Sequence, residues 1–138
     1  MINRFRIEEK KPYAKKIITI FSNEFEEGIN EAVKENCDGI FIRKPVLASV
    51  PGFLDLTSLK KMKSLCVHLS FEGGFAKDYN AESIGEMKSV KQLWLPKSFK
   101  EFNICANKNI EQLTLSFPSE FINLQCLKSL RFLYLREI

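Results

Sequence analysis

Apolar positions recur along this chain in a fixed order. Leu59, Met62 and Leu65 are spaced by three, and Val67 and Leu69 follow with one residue between them. Ile84, Met87 and Val90 lead in the same way into Leu93 and Leu95, and Leu124, Leu127 and Leu130 into Leu133 and Leu135. The shared pattern is apolar-x-x-apolar-Lys-Ser-apolar, a short spacer, then apolar-x-apolar. A more worn copy places Ile104, Asn107 and Ile110 before Leu113 and Leu115, with Asn107 where the others carry Met or Leu. Two upstream segments, Ile18 to Ile20 and Ile40 to Ile42, share only the alternating end.

Each half of the pattern predicts an element. Side chains spaced by three share one side of a helix or 3₁₀ turn, and alternation with period two is a short strand. One copy cannot bury its apolar side chains, but stacked copies can. The strand centres fall at Thr19, Phe41, His68, Trp94, Thr114 and Tyr134, roughly 20 to 27 residues apart, near the leucine-rich-repeat range. Consecutive strands are therefore predicted to lie side by side and parallel, with the helical segments on the outer face. Ile29, Val33 and Cys37 share one helical face, and Ser22 or Asn23 is placed to cap that helix. Pro96 and Pro118 each end a strand, and Phe99, Phe102, Phe121 and Ile122 fill space between sheet and outer layer. Pro45, Pro51, Gly52, Gly73 and Gly74 mark loops over 44–57 and 70–83. Residues 1–16 are read as an N-terminal cap, with a strand near Arg6. The strand around Tyr134 is left with an open edge, suited to a partner chain or to self-association.

Three of these runs resemble the leucine-rich-repeat family: Val90-x-x-Leu93-x-Leu95, Ile110-x-x-Leu113-x-Leu115 and Leu130-x-x-Leu133-x-Leu135. The resemblance covers residues 17–138. It implies an α/β fold: a short right-handed solenoid with a parallel sheet of about five or six strands and helices or 3₁₀ turns on the outer face. In that family a concave sheet face usually binds protein. The chain departs from the family where Asn or Cys usually follows the strand, for Ser98, Pro118 and Ile138 stand there. The family's Asn ladder between turns is thus predicted to be missing and the fold to be a flatter, irregular variant.

Composition narrows the function. A chain of 138 residues, 45% apolar and 28% charged, fits a single soluble domain over 1–138. No apolar run is long enough to span a membrane, and the charged N-terminus lacks the features of a signal peptide, which predicts a cytoplasmic protein. Cys37, Cys66, Cys105 and Cys126 are widely spaced and are read as free thiols, with no metal site and no cofactor. The net charge of +4 is spread out. Lys60, Lys61 and Lys63 do not make a dense stripe, so a nucleic-acid partner is disfavoured.

No catalytic motif is present, and His68 is the only histidine. A Cys66–His68 pair on one strand face could in principle activate a thiol, but ordinary residues of the sheet face account for both. The predicted function is therefore non-enzymatic protein binding. If Val67 and Leu69, Leu93 and Leu95, Leu113 and Leu115, and Leu133 and Leu135 point in, the residues between them point out. The outward column then reads Phe41, His68, Trp94, Thr114 and Tyr134, flanked by Arg43, Gln92, Gln112, Phe132 and Arg136. Aromatics and arginine on an open sheet have the composition of interface hot spots. The competing reading is that loops or the cap cover this face and the rings are core.

Small, irregular repeat proteins rich in lysine and phenylalanine resemble bacterial immunity proteins of polymorphic-toxin and contact-dependent growth-inhibition systems. That resemblance implies a cognate toxin domain as partner. The positive charge then requires an acidic toxin surface or a local acidic patch such as Glu24 to Glu27. The alternatives are an adaptor or scaffold in another complex and, less favoured, a nucleic-acid binder that uses the lysines and exposed rings.

Overall fold

A computed structural model describes residues 5–8, 13–96, 103–115 and 124–135. They form an α/β arrangement around a sheet of seven strands: β1 (Arg6–Glu8), β2 (Ile17–Phe21), β3 (Gly39–Arg43), β4 (His68–Phe71), β5 (Gln92–Leu95), β6 (Gln112–Leu115) and β7 (Phe132–Leu135). The strands lie in chain order. Every neighbouring pair from β2 to β7 is parallel, and β1 pairs antiparallel with β2. The count exceeds the expected five or six because the segment read as a cap contributes β1, with Phe5 packed into the core.

The connections carry the helical layer. Helix α1 (Phe25–Lys34) lies between β2 and β3, a short helix α2 (Glu82–Gly85) between β4 and β5, and 3₁₀ turns at Thr57–Met62, Ile104–Ala106 and Leu124–Cys126 precede β4, β6 and β7. Helix α1 buries Phe25, Gly28, Ile29 and Ala32, the i, i+3, i+4, i+7 stripe of an amphipathic helix. Val33 was expected in that stripe and is exposed, and Cys37 lies beyond the helix end. Neither Ser22 nor Asn23 caps α1; both form a 3₁₀ turn ahead of it. The helix stops at Asn36, whose φ of 55° lets the Asn36 and Cys37 N–H groups bond back to the Val33 and Ala32 carbonyls. Gly28 faces the sheet so closely that an added Cβ would collide with Ile20.

Two aliphatic columns run across the sheet toward this layer. Ile18, Ile40, Leu69, Leu93 and Leu113 form one, and Ile20, Ile42, Phe71, Leu95 and Leu115 the other, all buried. Their core is continuous from Phe5 to Leu127. Leu133 and Leu135 extend the columns but remain exposed on β7. The stretches expected to be plain loops also feed the core. Leu54 bridges Tyr79, and the rings of Phe71, Phe75 and Tyr79 pack in sequence, tilted to one another, with centroids 5.0 and 4.7 Å apart.

The register differs from expectation at one strand. Cys66, not Leu65, is the buried third member of its triplet, because Met62 O accepts from both Leu65 N and Cys66 N where the other copies close a single tighter turn. That extra residue, with Val67 and His68 together as the spacer before Leu69 where a single residue was expected, shifts β4 by two positions. Leu69 then pairs with Leu93, and Ser70 rather than His68 falls beside Phe41 and Trp94.

Side chains tie one copy to the next. The Ser89 hydroxyl shares its one proton between the Lys63 and Cys66 carbonyls, Asn109 Nδ2 donates to Lys88 O, and buried Asn107 donates to Ile84 O at 2.9 Å and Met87 O at 3.1 Å. These ties come from the turns ahead of β5 and β6; Ser98, Pro118 and Ile138, where the family's Asn ladder was expected to be missing, lie outside the described residues. A covalent tie joins Cys105 to Cys126, so two of the four cysteines read as free thiols are paired. A disulfide persists in oxidising surroundings, and the cysteines therefore lend no support to a reducing compartment. Among the described residues no helix is long and apolar enough to cross a membrane.

Replacing Asn107 with Ala removes two buried side-chain hydrogen bonds, while Ile84 O keeps Met87 N and Met87 O keeps Val90 N. The variant should lose about 1–3 kcal/mol in urea unfolding, and unchanged stability would show that these bonds carry nothing. Thiol titration of the unreduced, denatured protein should find two reactive thiols, Cys37 and Cys66, rising to four only after reduction.

Candidate sheet-face cleft

Alternation along each strand sets what the second sheet face presents. One column reads Ile17, Gly39, His68, Gln92, Gln112 and Phe132; the next reads Thr19, Phe41, Ser70, Trp94, Thr114 and Tyr134. Arg43 continues beside Phe21. Large rings alternate with short hydroxyl side chains from strand to strand, at about 4.8 Å per step. The short side chains therefore sit low between the rings: Ser70 and Thr114 are buried, Phe41 and Trp94 half-buried, and Tyr134 is 48% exposed.

Two depressions follow from this relief. The first, about 160 Å³, is lined by Arg6, Glu8, Ile17, Thr19, Phe41, Arg43, His68, Ser70 and Trp94. The second, shallower and about 380 Å³, is lined by Gln92, Trp94, Gln112, Thr114, Tyr134 and Leu135. Trp94 borders both.

His68 is fixed at the floor of the first cleft. Its Nδ1 lies 2.6 Å from Gln92 Oε1 and its Nε2 lies 3.0 Å from Ser70 Oγ. With the Gln92 oxygen as acceptor, Nδ1 carries the proton and Nε2 accepts from the Ser70 hydroxyl. This chain resembles a nucleophile–base–orienter relay. The two bonds position the His68 ring at the cleft floor. Arg43 lies with its guanidinium 5.9 Å from the Phe41 ring centre and 3.4 Å from a Glu72 oxygen, and its buried Nε has no hydrogen-bond partner among the described residues. Arg6 pairs with Glu8.

The structure sorts the sequence-predicted residues. Phe41, Arg43, His68 and Trp94 meet at the first cleft; Gln92, Trp94, Thr114 and Tyr134 meet at the second. Phe132 stacks near Tyr134, with centroids 6.4 Å apart, at the exposed edge. Arg136 lies outside the described residues. His68 moves from the aromatic column to the glutamine column, a consequence of the shift in β4. Arg6, Thr19 and Ser70 were missed for related reasons: Ser70 was assigned to a loop, and nothing in the spacing placed β1 against β2.

Cys66 is no partner for the His68 ring. Its thiol points into the core and donates to the His68 carbonyl at 3.2 Å, and burial pushes it up to about 12. Burial also raises the Cys37 thiol. Lys60, Lys61 and Lys63 sit on the helical layer, with Lys61 against Asn30, away from the rings. The described residues hold no cluster of three or more His, Cys, Asp or Glu able to bind a metal.

A thiol held protonated by burial favours the fold below its ordinary value of 9.0, and that contribution fades as pH rises toward about 12. Alkaline unfolding monitored by circular dichroism should therefore steepen across that window in the wild type and flatten in Cys66→Ala; matching curves would remove the assigned burial effect. Comparison of the chain with protein-family models, curated proteins and solved structures finds no match in any of the three.

Proposed function

We propose that this chain is a protein-binding module of the leucine-rich-repeat-like, right-handed solenoid kind, and that the sheet face opposite α1 is its binding surface. The observation that carries the reading is the relief of that face: Trp94 borders two adjoining depressions, with Phe41 and Arg43 on one side and Tyr134 on the other. Half-buried rings beside arginine and amide side chains supply a rigid apolar anchor with polar groups close by, the makeup of residues that dominate binding energy. Lys60, Lys61 and Lys63 lie on the helical layer, so the basic run of the sequence adds nothing to a nucleic-acid reading of this face.

In its finer form the proposal is a non-enzymatic immunity protein that neutralises a cognate bacterial toxin domain. That form rests on the family resemblance described above; an adaptor within another assembly uses the same face. Co-expression separates them: a toxin encoded beside this chain should be lethal alone and harmless with it, whereas a partner of another kind marks an adaptor.

Trp94→Ala and Tyr134→Ala should each weaken partner binding by about 2 kcal/mol or more while the protein stays folded. Leu93→Ala, in the core column, should instead cost about 2–5 kcal/mol of stability. Calorimetric titration with the captured partner and thermal melts of all three variants make the check. A Trp94→Ala variant that binds as the wild type does sinks the assignment of this face.

A further inference from the structure

Resting on the protein-binding reading, we infer that the Cys105–Cys126 disulfide is a redox gate on one half of the binding face: it holds the last copy of the pattern in place, and its reduction opens that copy and dismantles the second depression. Geometry makes the effect local. Tyr134 and Leu135 of β7 form one wall of that depression, beside Gln92, Trp94, Gln112 and Thr114 of β5 and β6. The first cleft takes its lining from β1 to β5 alone. A change confined to β7 therefore alters one depression and spares the other.

Burial and bonding place the weak point at β7. In the copy before it, Ile104, Ile110, Leu113 and Leu115 are all buried. In the last copy Leu127 alone among the described apolar residues reaches that depth. Leu124 and Leu130 are half-buried, and Leu133 and Leu135 are 44% and 59% exposed. Local opening costs least where few apolar side chains are buried. The side-chain ties differ as well. Ser89 and Asn109 reach back to the Cys66 and Lys88 carbonyls, whereas Ser129, at the matching position, is exposed. Half-buried Cys105 and Cys126 join these two copies instead. Without that bond the backbone ladder of β6 and β7 must hold a strand whose other edge pairs with no described strand. The cross-link spans 21 residues of chain, and removing a link over such a loop raises the population of the opened copy by roughly a hundredfold.

The reaction is confined to one pair, since Cys37 and Cys66 are sealed in the core. A dithiol supplies the electrons. Its thiolate attacks one sulfur of the pair, the Cys105–Cys126 bond breaks, and the second thiol displaces the mixed disulfide. Both cysteines end as thiols, having gained two electrons and two protons, and the reductant ends as its own disulfide. The second depression is thus complete in oxidising surroundings and lost in reducing ones.

Hydrogen-exchange mass spectrometry of the full chain tests this, with the oxidised protein compared with protein reduced by dithiothreitol. A Cys105→Ser, Cys126→Ser double variant serves as the control without reductant. Amides of residues 127–135 should exchange at least roughly tenfold faster in the reduced chain and in the variant, while β2 to β5 keep their rates. Reoxidation should restore the slow exchange. Unchanged exchange at β7 after complete reduction would overturn the gate. So would an equal loss of protection across β2 to β5, because the bond would then staple the whole fold. The reduced wild type decides the matter, so a variant that fails to fold does not remove the test. A captured partner that is lost with Trp94→Ala, yet held equally by oxidised and reduced chain, sinks the gate and leaves the protein-binding reading. A search that captures no partner sinks that reading and leaves the exchange result standing.

Discussion

One backbone arrangement repeats across this sheet, and the rest of the structure depends on it. The carbonyl of the residue just before each parallel strand accepts two N–H groups from the next copy. Lys16 O takes Asp38 N and Gly39 N, Asp38 O takes Val67 N and His68 N, and Val67 O takes Lys91 N and Gln92 N. Lys91 O then takes Glu111 N and Gln112 N, and Glu111 O takes Arg131 N and Phe132 N. A parallel ladder cannot slip by one residue without turning its core side chains outward. The shared carbonyl fixes the start of each strand, and the two aliphatic columns follow.

The same constraint builds the other face. Once Leu93 and Leu95 are committed to the core, Gln92 and Trp94 must point away from it, and the parallel register sets each beside its counterparts in neighbouring strands. The site is thus a by-product of a core requirement, refined by the choice of outward side chains. Short hydroxyls between rings create depth; glutamines in the adjacent column supply hydrogen-bond partners such as the one that holds His68. Rigid strands, rather than loops, carry these groups, and this suits a surface that recognises a shaped partner.

The links between copies are chemically mixed, and this bears on how the sheet resists opening from its ends. Side-chain bonds from Ser89, Asn107 and Asn109 join the middle copies, a disulfide joins the turns before β6 and β7, and Asp38 accepts from the Lys15 and Lys16 N–H groups at the other end. Stability in stacked copies comes from each copy and each interface between neighbours. Polar ties add specificity of stacking to an interface otherwise made of aliphatic burial, because each is a hydrogen bond that forms only when neighbouring copies stack in this register.

The sequence by itself determined the alternation of helical turn and strand, the parallel order of β2 to β7, and the identity of most core residues. Those features rest on local periodicity, which a single chain displays openly: Val90, Leu93 and Leu95 can share a core with Ile84 and Met87 only in one way. Tertiary structure alone decided the rest. Whether Leu65 or Cys66 enters the core depends on how the turn after Met62 closes, and that choice moved Ser70 into the cleft and His68 out of the aromatic column. Arg6 reaches the site through antiparallel pairing of a three-residue strand, too short to announce its neighbour. The bond between Cys105 and Cys126 depends on two turns meeting in space, 21 residues apart in the chain. Periodicity says which side of an element is buried; it does not say which residues of distant elements arrive at the same point.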